Sequence, residues 1–189
     1  DKIFLGELAL DGLLRPIKGV LALSQKARSE GFKEIFVPEG NGREAAVVKN
    51  CKVFEAKNLT EVLKHLSGET ALKIMPKTQI KSAAAEIKYD LADIRGQEAA
   101  KRALTIAAAG GHNILMSGPP GTGKTILART LPSILPPLSQ EEALEVTAIQ
   151  SVVGILDGSF ASRRPFRSPH HTSSYVALVG GGAWPKPGE

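Results

Sequence analysis

A glycine-rich octapeptide in the second half of the chain has the residue types and spacing of a phosphate-binding loop. The stretch GPPGTGKT, residues 118–125, matches the pattern G-x-x-x-x-G-K-[ST] at every required position. A short apolar run, residues 113–117, precedes it, and a helical pattern follows. Because strand, loop and helix in this order are the context in which the pattern binds phosphates, we predict a nucleoside triphosphate site.

The loop residues have distinct chemical roles. The glycines tolerate positive φ, so consecutive backbone N–H groups turn toward an anion at the N-terminus of the next helix. Lys124 is predicted to reach the β and γ phosphates, and the hydroxyl of Thr125 to coordinate Mg²⁺. We treat these two residues as the catalytic candidates. The predicted phosphate-binding residues are Gly118, Pro119, Pro120, Gly121, Thr122, Gly123, Lys124 and Thr125.

Length, net charge and cysteine content limit the kinds of protein that this chain can be. The chain has 189 residues, a net charge of +5 and one cysteine, Cys51, which excludes an intrachain disulfide framework. It lacks an apolar run of the ~20 residues that span a bilayer, and it does not open on a signal peptide. We therefore expect no membrane association and a cytoplasmic location. The chain starts without methionine, so we expect an excised part of a longer protein.

A cationic stretch near the end of the chain is a second candidate site. Residues 158–188 contain no carboxylate. Arginines interleaved with aromatic residues can contact phosphates and stack on bases, whereas a solvated loop or a subunit interface remains the alternative. Adjacent histidines rarely point at one ion, which disfavours a zinc site. The candidate nucleic-acid contacts are Arg163, Arg164, Arg167, His170 and His171.

Hydrophobic periodicity and turn residues predict two domains, residues 1–70 and 91–189, joined by a linker at 71–90. In the first domain we expect a hairpin at Asp11-Gly12, strands near residues 3–10, 33–37 and 51–54, and helices that begin near residues 20 and 59. The second of these helices is expected to be capped by Asn58 and Glu61.

In the second domain we expect helices on both sides of the phosphate loop, the later one ending at Pro132. Ser139 and Glu142 form a capping box for a further helix. We expect that helix to bury a stripe of four apolar residues, Ala143, Val146, Ile149 and Val153.

The second domain resembles the AAA+ ATPases. Residues 93–97, DIRGQ, are similar to the segment with which that family lines its adenine pocket, so Ile94, Gly96 and Gln97 are expected to bind ATP. GHNILMSGPPGTGKT, LPSILPPLSQEEALEV, and RPFRSPHHTSS followed by ALVGGG resemble the magnesium-chelatase-like branch, within it the ComM/YifB group.

The first domain resembles the C-terminal portion of a Lon-protease-like domain, in the stretches LGELALDGLLRPIKGVL and GFKEIFVPEGNGREA. Leu21 stands where Lon proteases carry the lysine of their Ser-Lys pair, and leucine accepts no proton. This resemblance implies a structural or docking domain. The implied fold class is α/β: a partial Lon-like α+β domain, then a truncated P-loop AAA+ domain with a parallel sheet.

The resemblance implies an ATP-driven motor that acts on DNA as a homo-oligomeric, hexameric ring, a branch-migration helicase of natural transformation. Two alternatives are a magnesium-chelatase-type motor that remodels a metal-inserting partner and a nucleotide-dependent scaffold. The acidic strand needed for hydrolysis is expected after residue 189. We reject the similar run 152–157, because Gly158 follows where a glutamate should stand. The chain is therefore expected to bind ATP or ADP and to hydrolyse ATP poorly.

Overall fold

Short strands and helices alternate along the computed structural model, which describes residues 1–79, 88–156, 160–183 and 186–188. The strands are β1 (Lys2–Phe4), β2 (Glu7–Leu8), β3 (Leu14–Arg15), β4 (Glu34–Pro38), β5 (Lys52–Ala56), β6 (Gly180–Gly181) and β7 (Lys186–Pro187). The helices are α1 (Val20–Ser29), α2 (Gly42–Ala45), α3 (Leu59–Leu66), α4 (Glu98–Gly110), α5 (Lys124–Ile134), α6 (Gln140–Val153) and α7 (Tyr175–Val179), with a 3₁₀ turn at Leu91–Asp93.

A three-stranded parallel sheet, in the order β1-β4-β5, forms the centre of the first part. Its middle strand β4 is the most buried, because apolar residues face both sides: Ile35, Phe36 and Val37 are all nearly inaccessible. Helices α1 and α2 connect the parallel strands. The chain is therefore α/β, and its three-stranded parallel sheet lies within residues 2–56.

The turn and cap signals in the first part are confirmed, but the strand expected at residues 3–10 is divided between β1 and β2, which belong to different sheets. β2 and β3 pair as an antiparallel hairpin around Gly12, whose φ is 84°. Helix α3 begins at its predicted cap, where the side chain of Asn58 accepts the backbone N–H of Glu61. These elements depend on hydrogen bonds within a few residues, which is why the sequence specifies them.

The strand that we expected before the phosphate loop is absent. Residues 112–119 form neither helix nor strand, and Leu115 is 92% exposed. An isolated strand has no partner for its backbone groups, and no strand among the described residues pairs with this run. The expected parallel sheet of the second part is therefore not seen in the described residues.

In the second part, the predicted end of α5 is wrong and the predicted start of α6 is confirmed. Pro132 lies inside α5, which continues to Ile134. A proline this close to a C-terminus removes only one helical hydrogen bond, and the helix tolerates that loss. In α6 the capping box of Ser139 and Glu142 is confirmed.

Of the expected apolar stripe only Ala143 is buried, and Ile149 is 58% exposed; the buried face of α6 is Ala143, Thr147 and Ser151. The two hydroxyls are bonded, since Thr147 Oγ1 donates to the carbonyl of Ala143 at 2.6 Å and Ser151 Oγ donates to Glu44 Oε1. Small residues let α6 approach its neighbour closely. The rejected acidic run begins inside this helix, and Asp157 lies outside the described residues.

Helix α6 packs on the first part of the chain. The N–H of Gly19 donates to the carbonyl of Ser151 at 3.1 Å. Glu44 Oε1 accepts the N–H of Leu21, in the first turn of α1, at 2.8 Å. This carboxylate lies at the N-terminus of α1, where a negative charge is favourable. Glu44 therefore joins α1, α2 and α6.

The segment that follows α3 also contacts the first part. The N–H of Met75 donates to the carbonyl of Val53 at 2.8 Å, and the N–H of Thr78 donates to the carbonyl of Ala46 at 3.2 Å. The predicted domain boundaries remain a prediction. Within the described ranges, the helices are too short or too polar to cross a membrane.

Candidate nucleotide site

The predicted phosphate loop is curled by three glycines with positive φ. The φ angles are 156° at Gly118, 80° at Gly121 and 84° at Gly123. Side chains other than glycine rarely adopt these angles, so the sequence motif and the backbone agree. A Cβ built on Gly121 would have no neighbour within 4 Å, so the glycine is required here by its backbone angle and not by lack of room.

Helix α5 begins directly after the loop and leaves its N-terminus without a protein cap. Its N-cap residue is Gly123, no side chain caps it, and its first turn carries no acidic residue. Helices α3 and α6, in contrast, have side-chain caps and glutamates in their first turns. The first N–H groups of α5 therefore carry partial positive charge and have no side-chain acceptor. An anionic phosphate group could accept their hydrogen bonds.

The ammonium of Lys124 lies on the loop. Its Nζ donates to the carbonyls of Gly118 at 2.8 Å and Pro119 at 2.6 Å, and it is 3.3 Å from Thr122 Oγ1. These partners are polar and the side chain is only half-buried. A phosphate oxygen carries formal negative charge, so the ammonium is attracted to it more strongly than to a neutral carbonyl oxygen. The lysine is thus close to where a phosphate would bind.

Thr125 follows in the first turn of α5 and is exposed. A hydroxyl oxygen is a hard ligand of the kind that Mg²⁺ accepts, usually together with phosphate oxygens and waters. The residues present therefore fit a magnesium–nucleotide complex. Lys124 and the loop amides would hold the phosphates, and Thr125 would contribute one ligand to the metal.

The segment expected to line the adenine pocket lies beside this loop. Gln97 Nε2 donates to the carbonyl of Thr122 at 3.4 Å. Gln97 has a φ of 60°, and Gly96 before it has 67°. A non-glycine residue in the left-handed region is uncommon and costs energy, so the turn that positions Gln97 is strained. Ile94, three residues earlier, is half-buried.

This adenine segment is also attached to α5. The 3₁₀ turn Leu91–Asp93 contacts the helix, and the N–H of Leu91 donates to Ser133 Oγ at 3.2 Å. Loop, helix and adenine segment therefore form one contiguous surface. The sequence motif alone did not reveal the bond between Gln97 and the loop, because its partners are 25 residues apart.

In the cationic stretch, Arg164 pairs with a carboxylate of α6. Arg164 Nη2 lies 2.7 Å from Glu142 Oε1, and its Nε donates to the carbonyl of Pro136 at 3.2 Å. This guanidinium holds the stretch against the N-terminus of α6. Sequence reasoning missed the pair, although an exposed first-turn glutamate is a signal for a cationic partner.

The other predicted nucleic-acid residues are accessible to different degrees. Arg163 is half-buried, and Arg167 is exposed. The rings of His170 and His171 are exposed and lie 4.3 Å apart between centroids. His170 Nδ1 lies 2.7 Å from Thr172 Oγ1. The histidine pair therefore belongs to a locally hydrogen-bonded turn.

The Glu142 carboxylate makes the N-terminus of α6 sensitive to pH. The backbone N–H of Ser139 and then the Arg164 guanidinium hold the pKa of Glu142 below its ordinary value. A carboxyl with a lowered pKa stabilises the fold above its ordinary pKa, and the contribution is lost as pH falls through the lowered pKa.

We therefore expect Glu142→Gln to lower the melting temperature at neutral pH and to match the original chain in acid. Thermal unfolding followed by circular dichroism from neutral to acidic pH measures this difference. Glu145→Gln, an exposed change one turn along α6, is the control. A Glu142→Gln deficit that stays constant down to acidic pH would contradict the assignment.

Comparison with known proteins places the chain in a family. Residues 90–189 match the family described as magnesium chelatase, subunit ChlI, and residues 1–41 match the one described as subunit ChlI of Mg-chelatase. The uncharacterized protein YifB of Escherichia coli K12 is 46% identical over 185 residues, covering 97% of this chain and 36% of YifB.

Two further relatives have assigned names. The competence protein ComM of Haemophilus influenzae is 43% identical over 190 residues, 98% of this chain and 37% of ComM. The magnesium-chelatase 67 kDa subunit of Heliobacterium mobile is 54% identical over 54 residues, 28% of this chain and 8% of that subunit. The chain spans about a third of the length of YifB and ComM. On these matches, the chain belongs to the magnesium-chelatase family, in the branch that contains ComM and YifB.

Proposed function

We propose that this chain binds ATP with Mg²⁺ at residues 118–125 and belongs to an ATP-driven motor that acts on DNA. The observation that carries the proposal is the uncapped N-terminus of α5, which follows three positive-φ glycines and has Lys124 lying on the loop. Such an arrangement favours a bound polyphosphate over any neutral ligand.

Each site residue has a proposed role. Lys124 balances the charge of the β and γ phosphates, and Thr125 contributes a ligand to Mg²⁺. Gly96 and Gln97, beside the loop, and the half-buried Ile94 receive the adenine. Hydrolysis also needs an acidic pair, which we assign to the longer protein. We expect that protein to work in the cytoplasm as a homo-oligomeric, hexameric ring.

The role of DNA rests on two observations. ComM is named a competence protein, and residues 160–169 carry three arginines without a carboxylate. A branch-migration helicase active in natural transformation is the specific function that we propose. The first part, with Leu21 fully buried among apolar residues in place of an accessible lysine, is proposed as a non-proteolytic docking domain.

A magnesium-chelatase-type motor is the second candidate, favoured by the family description and by the short match to the 67 kDa subunit. A nucleotide-dependent scaffold is the third. ATP turnover by the full-length protein, with and without forked DNA, separates them. Stimulation by DNA supports the first candidate, and turnover indifferent to DNA contradicts it. Whether the source organism makes chlorophyll bears directly on the second.

The cationic stretch gives a testable prediction for DNA binding. Replacing Arg163 and Arg167 with alanine, while keeping Arg164 because it holds Glu142, should weaken binding and lower its salt dependence. Loss of two phosphate contacts reduces the slope of log affinity against log salt by about 1.8. Fluorescence anisotropy with a labelled DNA over a salt series measures this change. An unchanged slope would leave the stretch as a structural loop or subunit interface.

A further inference from the structure

A polar groove runs between the first part and the N-terminal half of α6, away from the phosphate loop in sequence. One section of it has a volume of about 500 Å³ and lies between α1 and α6. A second section of about 430 Å³ continues toward residues 77–79. The two sections share four lining residues, so we treat them as one surface, the basic groove. The shared residues are Val47, Lys49, Gln140 and Leu144.

Three cations line the basic groove, and none of them pairs with a carboxylate of the residues that the structure describes. Arg28, Lys49 and Lys77 are exposed. Nine ion pairs form among the described residues, and none includes these three side chains. Other surface lysines are paired, such as Lys26 with Glu30. Glu141 is the one carboxylate among the lining residues that the structure describes, so this part of the groove has an excess of positive charge.

The remaining polar lining of the basic groove is uncharged. It consists of Gln25, Thr78, Gln79, Ser139 and Gln140. Amides and hydroxyls of this kind donate hydrogen bonds to phosphate and sugar oxygens. Among the described residues, the lining includes no aromatic side chain on which an unpaired base could stack. The chemistry favours a ligand that presents repeated phosphates with its bases turned inward.

We propose that the basic groove binds the phosphodiester backbone of duplex DNA through Arg28, Lys49 and Lys77. The inference rests on the proposed function, because it takes DNA as the polymer on which the motor acts. The floor of the groove comes from both parts of the chain, with Val47 on one side and Leu144 of α6 on the other. DNA bound there would contact the first part and α6 at once.

The test measures binding of a fluorescein-labelled 20-base-pair duplex to the full 189-residue chain by anisotropy over a series of KCl concentrations. The variant replaces Arg28, Lys49 and Lys77 with glutamine. Three lost phosphate contacts should lower the slope of log affinity against log salt by about 2.7, with an affinity loss of about ten-fold or more at low salt.

The matched control replaces Lys57, Lys64 and Lys101 with glutamine, which removes the same charge from ion-paired positions elsewhere. The proposal expects this control to retain the original slope within about one unit. Equal losses in both triple variants would show a general charge effect and overturn the groove assignment.

A variant that is expected to bind DNA more tightly provides a second test, because unfolding would weaken binding and could not strengthen it. Glu141→Gln removes the carboxylate from the groove and should raise duplex affinity about two- to ten-fold at low salt, since one repulsive charge is lost. Glu145→Gln, outside the groove lining, should leave affinity unchanged. Unchanged affinity in Glu141→Gln would overturn the proposal.

The outcomes separate this inference from the proposed function. Salt-dependent duplex binding that falls in the Arg163 and Arg167 variant but not in the groove variant overturns the groove and leaves the DNA motor standing. ATP binding without any salt-sensitive duplex binding by the original chain overturns both. ATP affinity measured by calorimetry should be the same in the groove variant, because the phosphate loop is unaltered.

Discussion

Lys124→Ala is expected to abolish measurable binding of ATP and ADP. The variant removes the ammonium that lies on the loop carbonyls of Gly118 and Pro119, and with it the charge that would balance the phosphates. Hydrogen bonds to charged groups contribute about 1.5–3 kcal/mol each, so losing two corresponds to an affinity loss of roughly a hundred-fold or more. Isothermal titration calorimetry with MgATP and MgADP measures the effect.

The control for this variant is Lys101→Ala. Lys101 lies on the neighbouring helix α4, and among the described residues its one ion-pair partner is Glu98, which is exposed and three positions away. Both substitutions put alanine, a strong helix former, at a helical position, so their circular dichroism spectra and melting temperatures should match the original. Equal nucleotide affinity in Lys124→Ala and Lys101→Ala would defeat the assignment of the phosphate site.

Leu21→Ala is expected to destabilise the chain by about 2–5 kcal/mol, which is the usual cost of truncating a buried leucine to alanine. Leu21 is 0% exposed and packs with Val47 and Val48 of the first part and with Leu144 of α6. The cavity would therefore open at the contact between the two parts. Urea unfolding followed by far-ultraviolet circular dichroism measures the free energy of unfolding.

Leu23→Ala, on the same helix and 43% exposed, is the matched control and should cost less than about 1 kcal/mol. A double-mutant cycle with Leu144→Ala tests the contact directly. Residues that share one cavity couple, so the double variant should lose less than the sum of the single losses. Additive losses would show that α6 does not pack on Leu21 in solution, and similar losses for Leu21 and Leu23 would contradict the burial of Leu21.

Features that depend on neighbouring residues were predictable. The three positive-φ glycines of the loop, the Asp11-Gly12 hairpin and the caps of α3 and α6 appear where the sequence places them. Each is specified by a residue type with a particular backbone preference or by a hydrogen bond that spans three or four residues. Tertiary packing is not needed to predict them.

Features that depend on distant partners were predicted poorly. Residues 113–117 look like a strand because they are apolar, but a strand forms only where another strand pairs with it, and no described strand does so. In α6, apolar periodicity selected Ile149, whereas the fold buries Ser151, whose hydroxyl donates to Glu44. Close approach to α1 favours a small, hydrogen-bonded residue over a large apolar one.

The sequence by itself was enough to predict the phosphate loop, its lysine and its threonine, because backbone preferences and residue chemistry over eight consecutive positions define that kind of site. Only the tertiary structure decided that Gln97 contacts the loop, that Arg164 pairs with Glu142, and that α6 packs on the first part. These contacts join residues that are 25, 22 and, for Ser151 and Glu44, 107 positions apart. Distances of that kind are set by the packing of whole elements, which no local pattern specifies.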